Sequence, residues 1–237
     1  VLGKCGRYDG DIIAGMLGAA GLEPVAGIGN ANPARVLNMS LGGPGACSAA
    51  YRDAVQRIVA AGVAIVAAAG NSAGQAVGTP ANCPGVIAVA GLRHAGSKVG
   101  FSDIGPEITL SAPGGNCVNI DGFNPCLYPI LAAVNTGARA PVAGGSSWTD
   151  SFNISVATSF AAPIVAGTAA LMLSANPSLT PAELTALLRA TARGFPTSGA
   201  DNGPGDPTPV PVCRAPDGGE QLQCYCTTAL CGAGMLD

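Results

Sequence analysis

Histidine is nearly missing from this sequence: the 237 residues contain one, His94. It sits in "GLRHAGSKVGFSD", which reads as a solvated loop, and nothing around it looks catalytic. Charge is scarce as well, at 11% of residues, with a formal net charge of -3. No basic cluster exists to neutralise phosphates, which argues against a nucleic-acid partner. The best apolar run, residues 164–173, falls far short of the ~20 residues that cross a bilayer, so no membrane span is expected. No signal peptide opens the chain, as in a mature or clipped protein. The close spacing "CYCTTALC" around Cys224, Cys226 and Cys231 lacks a CxxC knuckle, which argues against a zinc site with Cys213.

Apolar residues are plentiful, at 48%, enough for a sizeable core in one large domain or two small ones. No internal repeat appears, and one domain is the simpler reading. Gly (35) and Pro (19) imply many tight turns between short elements. Nine cysteines in so uncharged a chain suggest disulfides and an oxidising compartment. Nine is odd, so at least one is free or bonded to something outside this chain.

The apolar patterns alternate in type. "VLG" at the start reads as the tail of a strand. Residues 11–22 have helical spacing with Gly21 near their end. "ARVLNMSLGG" reads as a strand running into glycines, and "CSAAYRDAVQRIVAAG" as a helix closed by Gly62. "VAIVAAAGN" and "GVIAVAGL" are continuously apolar, as strands buried on both faces of a parallel sheet are. This rhythm predicts a doubly wound α/β fold with its function at the carboxyl ends of the strands. After Ala112 the chain turns loop-rich. A helix over residues 180–191 carries Thr180 as N-cap, Pro181 at its first position and Glu183 as the capping-box acid. Residues 198–231 form a Pro/Gly/Cys-rich excursion, after which "CGAGMLD" looks structured.

Chemistry concentrates in "SVATSFAAPIVAGTAALML", residues 155–173, where a hydroxyl-rich stretch becomes an apolar helix. Ser159 at the first turn is most simply a cap. Yet a helix start also offers unpaired N–H groups and the positive end of its dipole, which suit a developing oxyanion. Pro163 is tolerable there because it falls in the first turn. Asn71, at the end of a strand, is a turn former or an amide donor to an oxyanion. "NMSLGG" can offer bare backbone to an extended peptide.

"NMSLGG", "VAAAGN", "GTPANCPGVIAVAG", "GFSDIG", "SAPGG" and "ATSFAAPIVAG" stand in the order found in subtilisin-like serine proteases, and the chain resembles that family over residues 1 to about 193. The resemblance implies a subtilisin-like fold, a mostly parallel β-sheet flanked by helices, with residues 1–237 as the carboxyl-terminal portion of one catalytic domain. "CGAGMLD" resembles the family's last strand. The implied nucleophile is Ser159 and the implied oxyanion donor Asn71. Ser40, Leu41 and Gly42 would pair with the substrate backbone. Ala68, Ala69 and Gly70 would wall the pocket for the residue before the scissile bond, with Gly78 near its floor. Those walls are small and neither stretch contains an acid, so large apolar residues are the expected preference.

Two departures stand out. Ala157 occupies a position where the family has glycine, the one direct hint of an alternative: a catalytically silent, peptide-binding homologue. The family's catalytic Asp and His precede "VLG" and are expected on an upstream segment absent from this chain, with Cys5 bridged to it. The expected disulfides within the chain are Cys47–Cys83, Cys117–Cys126, and two among the last four cysteines, Cys213–Cys224 and Cys226–Cys231. No catalytic cofactor is expected. Structural calcium is compatible with the family but is not located here: no loop clusters several carboxylates, and Asp9 and Asp11 read better as helix-start acids. Protein or peptide substrates and a secreted, extracellular location complete the reading.

Overall fold

The computed structural model describes residues 8–116, 129–149, 156–201 and 207–237. Cys5, Cys117, Cys126 and the opening "VLG" lie outside the described residues. Four strands, β1 (Val36–Met39), β2 (Ala64–Ala68), β3 (Ile87–Leu92) and β4 (Ile108–Pro113), form one sheet in sequence order. Every pairing in it is parallel. Four helices accompany the sheet: α1 (Asp9–Ala19), α2 (Ala49–Ala60), α3 (Thr158–Ala175) and α4 (Pro181–Thr191).

The continuous apolar strands have the meaning expected of them. All five residues of β2 are buried. Ile65 and Ala67 point into a core shared with Ile12 and Met16 of α1 and with Val55 and Ile58 of α2. Val66 and Ala68 point the other way, to Ala161, Val165 and Ala169 of α3 and to Leu184 and Leu188 of α4. Period-2 alternation between two helix layers is what makes such a strand apolar throughout. That packing accounts for the buried face of α3, a helix 18 residues long and apolar enough by length and composition to cross a membrane, whereas its Leu171 is exposed. The helix ends follow local rules. Gly62, with φ 82°, closes α2, and Ser48 caps its start by accepting from the Tyr51 N–H. Thr180 and Glu183 form a reciprocal capping box at α4.

The loop-rich stretch holds a hairpin that the sequence reading missed: β5 (Ala132–Asn135) pairs antiparallel with β6 (Ser146–Thr149). "CGAGMLD", expected as a strand, lies along the open edge of β4 through single bridges of Met235 to Ser111 and to Arg193. Gly232 and Gly234 both have positive φ in this segment, which prevents a longer ladder. Residues 207–237 contain no helix or strand of their own. They pack four half-cystines, with Leu230 and Met235, against Leu92 and Ile104.

Candidate active site

Three chain ends meet beside β1 and β2. β1 runs out into Ser40, Leu41 and Gly42; β2 runs out into Ala69, Gly70 and Asn71; α3 begins at Thr158. Leu41, Gly42, Ala68, Ala69, Gly70, Asn71, Gly78 and Ser159 all line one cavity of about 700 Å³. Ser40 adjoins it through hydrogen bonding to Ser159. The candidates singled out in the sequence are therefore brought together.

Asn71 is oriented by its oxygen. Its Oδ1 accepts from the Thr158 N–H and from the Thr158 hydroxyl, both at 2.9 Å. Thr158 is fully buried, and the Gly70 N–H donates to its hydroxyl at 3.4 Å. A backbone N–H can only donate, so the bond from the Thr158 N–H fixes which end of the Asn71 amide is the carbonyl. The NH2 end of Asn71 is left as a donor on the cavity lining, with no partner among the described residues.

The Ser159 hydroxyl is half-buried and makes a long contact, 3.4 Å, to the carbonyl oxygen of Ser40. Pro163 explains the reciprocal contact. It lies inside α3 beyond the first turn, not within it as the sequence reading assumed. Proline has no N–H, so the carbonyl four residues earlier, that of Ser159, loses its helical donor. The Ser40 hydroxyl donates to that carbonyl at 2.7 Å, while Asn38 Nδ2 donates to the same hydroxyl oxygen at 3.0 Å. Ser40 thus repairs the helix at the residue that carries the hydroxyl. Ala157 precedes the helix with φ 179° and ψ 166°, extended backbone that any residue adopts.

The pocket wall depends on glycine at two places. Gly70 has φ 123°, and a Cβ there would stand 2.2 Å from Asp103 Oδ2. A Cβ on Gly78 would come within 2.4 Å of the Gly43 carbonyl oxygen, so bulk at 78 would displace the neighbouring segment before filling the cavity. Two acids that the sequence reading left out also line this cavity, Asp103 and Glu107. Asp103 is only 3% exposed, and burial raises its pKa although the Ser72 and Gln75 N–H groups donate to it. Glu107 is exposed and makes no hydrogen bond or ion pair among the described residues. Neither lies in the two wall stretches, which is why scanning those stretches for charge missed them.

His94 lines a different cavity, of about 320 Å³, with Arg93, Arg193 and Phe195. Its Nδ1 lies 3.1 Å from Asn116 Nδ2, and burial together with Arg93 lowers its pKa. Cys47–Cys83, Cys213–Cys224 and Cys226–Cys231 are bonded as expected. The sulfurs of Cys213, Cys226 and Cys231 cluster within 4.8 Å because two disulfides stack, and bonded sulfurs are not the thiolates that zinc needs. Asp9 and Asp11 stand in the first turn of α1, and Asp9 accepts from the Tyr51 hydroxyl at 3.4 Å.

The family model for subtilases, Peptidase_S8, matches residues 1–210. The chain belongs to the subtilase family. This subtilase is 44% identical over 199 residues to an extracellular protease of Xanthomonas campestris pv. campestris, covering 83% of this chain and 31% of that protein. It is 39% identical over 200 residues to an extracellular basic protease of Dichelobacter nodosus, covering 82% and 30%. The chain thus spans about a third of the length of these curated relatives. Among solved structures it resembles a protease from Pseudoalteromonas arctica PAMC 21717, with TM-score 0.78 and 36% identity, over 100% of this chain and 59% of the other. The parallel sheet between helix layers is the subtilisin-like α/β arrangement.

Proposed function

We propose that this subtilase segment carries the nucleophile, oxyanion donor and substrate cleft of a secreted serine endopeptidase. One observation carries the reading: Asn71 is pinned by its carbonyl oxygen to the start of the helix that bears Ser159, leaving its amide hydrogens on the same cavity. In this role the Ser159 Oγ attacks the scissile carbonyl carbon and gives its proton to an imidazole. The carbonyl π electrons move onto oxygen. That charge is met by Asn71 Nδ2 and by the Ser159 N–H, which lies in the first helical turn and has no helical acceptor. Collapse expels the amine, protonated by the imidazolium, and water then releases the acyl group.

The imidazole and its orienting carboxylate belong, in this reading, to chain upstream of Val1, with Cys5 bridged to it. The sole histidine lines another cavity, so residues 1–237 act as the carboxyl-terminal portion of one catalytic domain. The Ser40 carbonyl, Leu41 and Gly42 present edge backbone to the substrate. Ala68, Ala69, Gly70 and Gly78 shape an apolar pocket, while Glu107 gives a basic head a carboxylate to approach. The silent alternative rested on Ala157, whose extended backbone needs no glycine. The relatives are named as extracellular proteases, and the disulfides suit secretion.

The deciding experiment compares the full-length protease with its Ser159→Ala form. A fluorophosphonate should label the first and not the second, and a peptide library should show cleavage after Leu, Phe or Tyr above Lys or Arg. The 237-residue chain alone should turn over peptide no faster than its own Ser159→Ala version. Labelling that survives the substitution would end the proposal.

A further inference from the structure

We propose that Asp103 is a positioning residue for hydrolysis, holding Asn71 at its working angle through the backbone on both sides of it. The inference rests on Asn71 acting as the oxyanion donor. Asp103 Oδ1 accepts the N–H of Ser72 at 2.9 Å and of Gln75 at 3.0 Å. The Asp103 N–H donates to the Gly70 carbonyl at 3.0 Å. Residues 70 and 72 flank Asn71, so one buried acid grips the loop immediately before and after the donor. Its Oδ2 occupies the space a Gly70 side chain would fill, which leaves the loop no room to move toward it. A carboxylate holds two N–H groups more firmly than a neutral acceptor would.

The acid is itself anchored. The Lys98 ammonium, fully buried, donates to the carbonyls of Val99 at 3.0 Å, Gly100 at 3.0 Å and Ser102 at 2.9 Å, fixing the approach to Asp103. The Ser102 hydroxyl oxygen accepts the N–H of Gly91 in β3 at 2.9 Å. Position thus passes from the sheet through residues 98–103 into the loop of Asn71, and from Asn71 to Thr158 beside the nucleophile. Thr158 fixes the amide oxygen but nothing in the adjoining backbone beyond Gly70; Asp103 supplies that second constraint. An oxyanion donor works only when it is already in place, and displacements below 1 Å are costly.

The test is a double-mutant cycle in the full-length protease, using Asp103→Ala, Asn71→Ala and both together, with unfolding midpoints confirming folded enzyme. Asn71→Ala should lower kcat about 10²–10³-fold. Asp103→Ala should lower kcat on the order of 10–100-fold with KM within about twofold. In the Asn71→Ala background the same change should cost less than about threefold, because there is no donor left to position. Asp103→Asn, whose Oδ1 still accepts both N–H groups, should recover most of the loss; Asp103→Ser, too short to accept from both, carries the cycle if the alanine variant does not fold. Equal losses in both backgrounds would overturn the inference, as would a KM rise confined to Lys or Arg substrates, which would make Asp103 a specificity group. An unchanged kcat in Asn71→Ala alone would instead overturn the oxyanion reading.

Discussion

Strand β2 and the segment from Cys213 to Cys231 both bear on the Asn71 loop, and they are stiff for opposite reasons. β2 leads directly into the loop, is buried along its whole length, and has apolar neighbours on both faces. The later segment has no regular structure and is tied by two disulfides. It reaches the same loop from behind: the Gln221 N–H donates to the Ala73 carbonyl at 2.8 Å, Gln221 Nε2 to Gly74 at 3.2 Å, and Gln75 Nε2 to Gly219 at 3.1 Å. Apolar burial is distributed over many contacts, whereas a cross-link concentrates its effect in one bond. The first should fail globally and the second locally.

The largest effect should come from the strand. Ile65→Ala empties a fully buried site and should cost about 2–5 kcal/mol in denaturant unfolding, with kcat of the remaining folded enzyme unchanged. A matching loss of kcat would erase the distinction. Replacing Cys213 and Cys224 together by serine opens a bridge of sequence separation 11 and should cost about 3 kcal/mol. Here kcat should fall severalfold as well, because Gln221 is released from Ala73 and Gly74. Unchanged kcat in a destabilised enzyme would show that the excursion only adds stability.

The smallest effect per step concerns Lys98, which borders the cysteine-rich segment: its N–H donates to the Cys224 carbonyl at 2.9 Å. Burial lowers its pKa to about 7 from 10.5, with Asp103 opposing the shift. Between those values the unfolded chain binds a proton that the native state does not, so stability rises with pH across that window. Below about 7 the cost of burying the ammonium is fully present. The slope cannot exceed about 1.4 kcal/mol per pH unit for one group. Lys98→Met should flatten it, and an unaltered slope would assign the dependence to another group.

What was legible followed local rules. An uninterrupted apolar run must be a strand covered on both sides, and β2 is. "SLTPAEL" contains its own capping box, and α4 uses it. The site residues were read from motif resemblance rather than from spacing. The role of Asp103 was hidden because an acid between Ser and Ile in a turn looks like a turn former, and its partners lie 28 and 31 residues away. Pro163 was misplaced by one turn, so the need for an outside donor at the Ser159 carbonyl went unseen. The closing segment has strand-like residues, but its two positive-φ glycines let only single bridges form.

That proline has a consequence for the order of assembly. A peptide spanning the start of α3 lacks the regular helical donor to the Ser159 carbonyl, because that position is Pro163. The missing donor is the Ser40 hydroxyl, 119 residues away in sequence, and it arrives only when the end of β1 docks. The helix turn bearing Ser159 is therefore completed by tertiary contact and not by local coiling. On the proposed role of Ser159 this would act as a maturity check: the cutting residue is seated only after the body around it has closed, when few of its own unfolded segments remain exposed to it.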